Sequence, residues 1–313
     1  MSTRDESPRL AEARVATDES YFLAEGPMWD SARSRVVWVD IMEGRVLTGR
    51  LHSDGTIRVL ERVEVPDIAA AATVADDGRM LIAGAHRLYV RELDGSLTAG
   101  PQVVAGTGRR FNDGKPDPRG LFVAGTKSAA EQESLLRFEE DGSVTPVDGD
   151  LAMSNGLGWS PDGRLLYSVD TLRGRVHVRD YDPETGAIGP RKTFLTVQDG
   201  LPDGLAVDAE GCVWLALWGG ARVVRCAPDG EIVGHVELPT PHVSSVAFVG
   251  PDLGTLVITT AREGLSDARL RAHSFAGRMF TARPGIHGAP VAPWSGRIDR
   301  SRLSQAHPRK ETV

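Results

Sequence analysis

Cysteine, helical periodicity, long apolar runs and excess positive charge are all scarce in this chain of 313 residues. Its two cysteines, Cys212 and Cys226, are too few for a disulfide framework, and nothing near them has the spacing of zinc ligands. They flank a turn, "LWGGAR" (217–222), and are expected as two reduced thiols nearly opposite each other on adjacent strands. No apolar run approaches the roughly 20 residues that a membrane-spanning helix requires. The opening MSTRDESPRL is charged and has no apolar core of a secretory signal, so a cytoplasmic protein is expected. Lysine and arginine number 36 against 43 acidic residues, a formal net charge of −7. Binding to nucleic acid or to an anionic membrane draws on a basic surface, and the balance argues against both. No long segment carries apolar residues at 3.6 spacing between caps, which leaves little room for helices.

What the chain has instead is a repeat. Six segments share a plan of apolar residues, an Asp/Gly turn and a second apolar stretch: 27–40, 72–84, 114–126, 157–171, 205–217 and 246–260. They recur at roughly 40–48 residues, the length of a four-stranded propeller blade. A third strand, often opened by a turn and an arginine, follows most copies, as in "GRVLTGRLHSDG" and "GRVHVRDYDPETG". The Asp-Gly and Pro-Asp-Gly turns between alternating strands are hairpin chemistry. The fold expected is all-β, a single six-bladed β-propeller over residues 16–300, with an N-terminal tail (1–15) and a polar C-terminal tail (301–313). Within 10–18, "LAEARVATD" is a candidate outer strand that latches the last blade.

A polar side chain returns at one phase of this repeat. Glu25, Asn112, Asn155, Asp203 and, approximately, Ser244 each open an innermost strand, and only the second copy has alanine there. Innermost strands line the central channel, so these oxygens converge on the axis. Two carboxylates in a narrow, partly desolvated channel repel, and a cation relieves the repulsion. Oxygen donors without cysteine suit Ca²⁺, Mg²⁺ or Mn²⁺, and Zn²⁺ also accepts them. Asn-Gly and Asp-Gly are equally the commonest tight-turn dipeptides, so on the residues alone a metal site and a set of turn residues both stand. Residues just after the second strand, Asp40, Lys127, Asp170, Trp218 and His86, reach the same mouth, where loop anchoring is the commonest duty. Arg110 could aim a guanidinium at a substrate oxygen or lie on the surface as half of an Arg-Arg pair. His242 is a further candidate for the cavity wall.

These residues carry a resemblance. "RRFNDGKPDPRGLFVAGT" (109–126), "SNGLGWSPDGRLLYSVDT" (154–171) and "PDGLAVDAEGCVWLALWGGARVVR" (202–225), with "EGPMWD" and "VSSVAFVG" (243–250), resemble the family of senescence marker protein, gluconolactonase and luciferin-regenerating enzyme. The likeness spans nearly the whole chain after residue 20. It implies one divalent metal ion (Ca, Zn or Mn) held by Glu25, Asn155 and Asp203, and a substrate contacted by Arg110 and Asn112. It also implies hydrolysis of a sugar lactone to the hydroxy acid by a metal-activated water, with Asp203 as general base and acid. The partner implied is a small-molecule lactone, and the protein itself is expected as a monomer or small homo-oligomer. A specialised relative acting on a non-sugar ester or lactone, or a non-catalytic calcium-binding propeller, are the alternatives.

One stretch departs from the family. After "AGT" the animal lactonases continue with a Met and an acidic pair, one acid of which helps to bind the sugar. Here the stretch reads "KSAAEQES" (127–134), so Lys127 replaces the Met, and Ala129 and Ala130 replace the acids. The exchange removes an acid and adds a cation at the mouth, which points to a substrate bearing a carboxylate or phosphate for Lys127 and Arg110. The plainer account is a lysine that snorkels to solvent from a diverged loop.

Overall fold

The structure, a computed structural model, describes residues 7–302. Six four-stranded antiparallel sheets follow one another as blades. Their innermost strands are Ala24–Asp30, Ala71–Val74, Arg110–Pro116, Ser154–Trp159, Leu201–Val207 and Val243–Val249. In blades one to five the next three strands are added outward in chain order. The strand Arg14–Val15 is the exception. It joins the outer edge of blade six, pairing Arg14 with Thr281 and Val15 with Phe280. Ala16 then donates its N–H to Met279 and accepts one from Ile57 of blade one, so the beginning of the chain closes the ring. Residues 8–10, ahead of this strand, also pack on the body, through hydrogen bonds between Pro8, Leu10 and His235 of blade five.

The blades are apolar on both faces because each is sandwiched between two others. Trp38, Trp214, Tyr167, Phe111, Phe122 and Phe280 are among the largest fully buried side chains. Trp214 of blade five meets Phe248 of blade six edge to face at 5.6 Å, a contact worth about 0.5–1.5 kcal/mol beyond its buried area. Cys226 lies opposite Val213, the neighbour of Cys212, and both cysteines are buried thiols. Among the described residues the single α-helix is Asp267–Ala272, capped by Ser266, and no helix is long and apolar enough to cross a membrane.

The two ends of the channel differ. Where the innermost strands finish, the chain after blade six crosses underneath them as a strap. Ala289 donates its N–H to Val207, Trp294 to Val74 and Ser295 to Gly120. Above the strap lies a cavity of about 620 Å³ with Met28, Trp29, Trp159 and Phe248 in its walls. The polar residues that begin the innermost strands sit at the opposite, upper end.

Candidate active site at the channel mouth

In five blades the pairing of the first two strands shifts register at the polar position: between Glu25 and Met28, Phe111 and Gly114, Asn155 and Leu157, Pro202 and Leu205, and Val243 and Ser245. Blade two, which has alanines there, pairs Ala71–Val74 with Met80–Ala83 without a break. A bulge frees a residue from the ladder and re-aims its side chain. The glycines that follow are therefore not hairpin-turn residues. A Cβ on Gly156 would lie 2.4 Å from the Asp203 carbonyl oxygen, and one on Gly204 would lie 2.0 Å from Ser245 Oγ. They are glycine because innermost strands of neighbouring blades press together at the axis.

The bulges gather a buried acidic cluster. Glu25 accepts a hydrogen bond from the Gly26 N–H at 2.9 Å. Burial, then the nearby Asp113, push its pKa up to about 8. Asp203 is likewise held well above the usual carboxylate range by burial and by Glu25 and Asp113. Its Oδ1 is buried and has no hydrogen-bond partner among the described residues. Such an orphaned oxygen beside a second crowded carboxylate is what a cation would satisfy. Among the described residues no three His, Cys, Asp or Glu side chains form a ready cage. The crowded carboxylates of Glu25 and Asp203 adjoin the Asn155 amide through the hydrogen bonds of the neighbouring strands.

A relay of hydrogen bonds runs beside the carboxylates. Arg110 Nη1 donates to Asn112 Oδ1 at 3.1 Å, Asn112 Nδ2 donates to Asn155 Oδ1 at 3.1 Å, and Asn155 Nδ2 donates to Thr171 Oγ1 at 3.1 Å. Both donors of Asn112 are engaged, the second by the Ser154 carbonyl at 2.9 Å. Asn112 thus orients Asn155 and Arg110, and only its oxygen can take a substrate hydroxyl. The ambiguity of the Arg-Arg pair resolves. Arg109 turns outward to Glu133 and the Gln132 carbonyl, tying down the loop 128–133, while Arg110 turns to the axis. Lys127 is half-buried beside Arg110, and burial and that neighbour lower its pKa. Glu263, Asp203 and Glu25 act on it from further off.

One expectation changes. Ser244 does not join the ring: its hydroxyl donates to the Ala24 carbonyl at 2.6 Å and pairs with Thr259, and Ser245 is the serine beside Glu25. His242 takes a place in the wall, where it stacks on Trp218 at 4.2 Å and bonds the Glu263 backbone oxygen through Nδ1. Asp40 and Asp170 anchor loops, accepting N–H groups from Phe22 and Leu23 and from Ala152 and Met153.

Asp113 and Lys115 were not anticipated. Asp113 is buried among the other carboxylates, with its pKa raised by burial. Lys115 Nζ donates across the channel to the carbonyls of Leu157 (2.8 Å) and Leu205 (3.0 Å), and burial pushes its ammonium down. Strict alternation from Asn112 would turn Asp113 away from the axis; the bulge between Phe111 and Gly114 lets both reach it. The run "NDGK" was the available signal.

Known proteins share this fold and much of this sequence. The SMP-30/Gluconolactonase/LRE-like region matches residues 23–262. A pentonolactonase, XacC, of Haloferax volcanii is 36% identical over 78% of this chain and 83% of its own. A 6-deoxy-6-sulfogluconolactonase of Pseudomonas putida is 32% identical over 88% and 95%. The crystal structure of a calcium-binding protein, regucalcin, from Agrobacterium tumefaciens superposes with a TM-score of 0.82 at 31% identity, covering 90% of this chain and 97% of that one. The propeller is thus shared in sequence as well as in shape, and the chain belongs to the SMP-30/gluconolactonase/LRE-like family.

Proposed function

We propose that this protein is a metal-dependent lactonase that opens a sugar lactone to its hydroxy acid. The observation that carries the reading is the buried, unpartnered Oδ1 of Asp203 beside Glu25, with the Arg110–Asn112–Asn155 relay adjoining it. Glu25, Asn155 and Asp203 would hold the ion, since hard oxygen donors without sulfur suit Ca²⁺, Mn²⁺ or Zn²⁺. When bound, a divalent cation supplies a Lewis acid for the lactone carbonyl and lowers the pKa of a water. Asp203 is the catalytic residue. It takes a proton from the attacking water and returns one to the ring oxygen that leaves as a hydroxyl. Arg110 offers the guanidinium nitrogens not engaged with Phe111 and Asn112 to a substrate oxygen and so orients the lactone. Asn112 keeps that guanidinium and the Asn155 amide in place. Relatives bearing the names pentonolactonase and sulfogluconolactonase support the substrate class.

The test uses protein stripped by a chelator, then supplied with Mn²⁺, Zn²⁺, Ca²⁺ or Mg²⁺ singly, with proton release recorded on pentono- and hexonolactones. Turnover is expected to return with at least one ion, and Asp203→Asn is expected to lower it by about 10²–10⁴-fold, the usual worth of a positioned acid–base group. Ion binding by calorimetry without turnover on any lactone would sink the reading and leave a cation-binding propeller.

A further inference from the structure

The last residue of the second strand occupies equivalent places around the ring. Asp40 faces Ala24, Asp170 faces Ser154 and Trp218 faces Leu201. In blades one and four the aspartates serve the fold by accepting two backbone N–H groups each. Blade three has no such acid. Lys127 takes that place and lies directly opposite Arg110 in the antiparallel pair. Like charges opposite one another on a sheet destabilise it, so the folded protein carries a local repulsion here.

Among the described residues no carboxylate forms a close ion pair with either cation. The Arg110 Nη1 bonds go to the Phe111 carbonyl and the Asn112 amide oxygen. The Lys127 ammonium forms no hydrogen bond or close ion pair among the described residues. Three carboxylates face the two cations from further away: Glu25, Asp203 and Glu263. Glu25 and Asp203 belong to the ion-holding set, which leaves Glu263 alone against two positive charges. The backing is rigid, because Arg109 and Glu133 clamp the loop that follows Lys127.

We infer that the mouth selects lactones bearing a second, anionic group, bound jointly by Lys127 and Arg110. The inference rests on the lactonase reading and names the substrate class. A planar fork beside a point charge is suited to a carboxylate, sulfonate or phosphate, and a neutral hydroxymethyl group would leave the repulsion unanswered.

The experiment compares a hexono-1,4-lactone with ring-matched lactones whose terminal hydroxymethyl is replaced by a carboxylate, sulfonate or phosphate ester. In the metal-loaded wild type, kcat/KM is expected to favour at least one anionic lactone by about 10- to 100-fold, the scale of a charge-assisted contact. The preference is expected to lie mainly in KM and to shrink as NaCl rises. Lys127→Met should collapse the ratio of anionic to neutral kcat/KM; Lys127→Arg should retain most of it. A second readout does not need turnover. Calorimetric titration with the open hexarate and hexonate should show tighter hexarate binding in the wild type and no difference in Lys127→Met. Equal or weaker handling of every anionic ligand by the wild type, or a ratio unmoved by Lys127→Met, overturns the inference. Absence of turnover on all lactones overturns the lactonase reading instead, and the titration still decides on the anion site.

Discussion

Blades two and three are neighbours built on one plan, yet only blade three carries charged side chains on its innermost strand. The first hairpin of blade two pairs Ala71 with Ala83 through Val74 with Met80 in unbroken register, and every residue of its innermost strand is buried. The first hairpin of blade three shifts register and puts Arg110, Asn112, Asp113 and Lys115 on one strand, with Lys127 across from it. The regular hairpin demonstrates that the fold does not require polar groups at the axis. The bulge, the buried Asp113 and the like-charged pair all work against stability, and their occurrence together on this hairpin fits the site proposed for the channel mouth.

Substitutions in the two blades should therefore have opposite signs. The largest effect is expected for Lys115→Met in blade three. That lysine ties blades three, four and five through the Leu157 and Leu205 carbonyls and is the cation nearest to Asp113. Removing it leaves two carbonyls and a carboxyl group without their partner, so a loss of about 3 kcal/mol is expected from the denaturant midpoint. A change below about 0.5 kcal/mol would mean that the ammonium contributes nothing beyond its packed stem.

A smaller effect should appear when the acidic cluster is titrated without metal. Glu25 is held up to about 8, chiefly by burial and then by Asp113, whereas an unfolded glutamate titrates near ~4.3. Between those values the folded chain retains a proton that the unfolded chain has lost. Stability must then fall as pH rises through that window. Chelated protein should melt at progressively lower temperature from pH 5 to 8, and the slope should flatten in Glu25→Gln. Saturating divalent ion should stabilise more at pH 8 than at pH 5, since its ligands must give up protons to bind it. A chelated protein whose melting temperature rises over the same range would contradict the crowding of these carboxylates.

The propeller was legible because its physics is local. Turn dipeptides, strand alternation and spacing are written in consecutive residues, and six copies make the pattern unmistakable. Glu25, Asn155 and Asp203 were legible for the same reason, as one polar residue per repeat before a glycine. Asp113 and Lys115 were not, since a bulge breaks the period of two by which faces are assigned. The displacement of Ser244 by Ser245 is the same one-residue error. Glu263 and the strap over 286–296 stood outside the repeat altogether: they have no strand periodicity, and their places are set by contacts with residues far off in the chain, such as Val74, Val207 and Phe22.

The smallest prediction lies in the regular blade. Thr73, at the centre of the innermost strand of blade two, is fully buried, and its hydroxyl has no hydrogen-bond partner among the described residues. Valine has nearly the same shape without the hydroxyl, and the position is already extended strand, which valine favours. Thr73→Val removes a desolvated polar group and should stabilise by about 1 kcal/mol, the lower end of the cost of burying an unpaired hydroxyl. Turnover in the proposed lactonase assay should stay at the wild-type value, because none of the groups acting on Glu25, Asp113 or Asp203 comes from blade two. A loss of stability would reveal a partner for the hydroxyl and make blade two less plain than its register suggests. A gain, set against the loss in Lys115→Met, would separate the sector that serves the fold from the sector that serves the site.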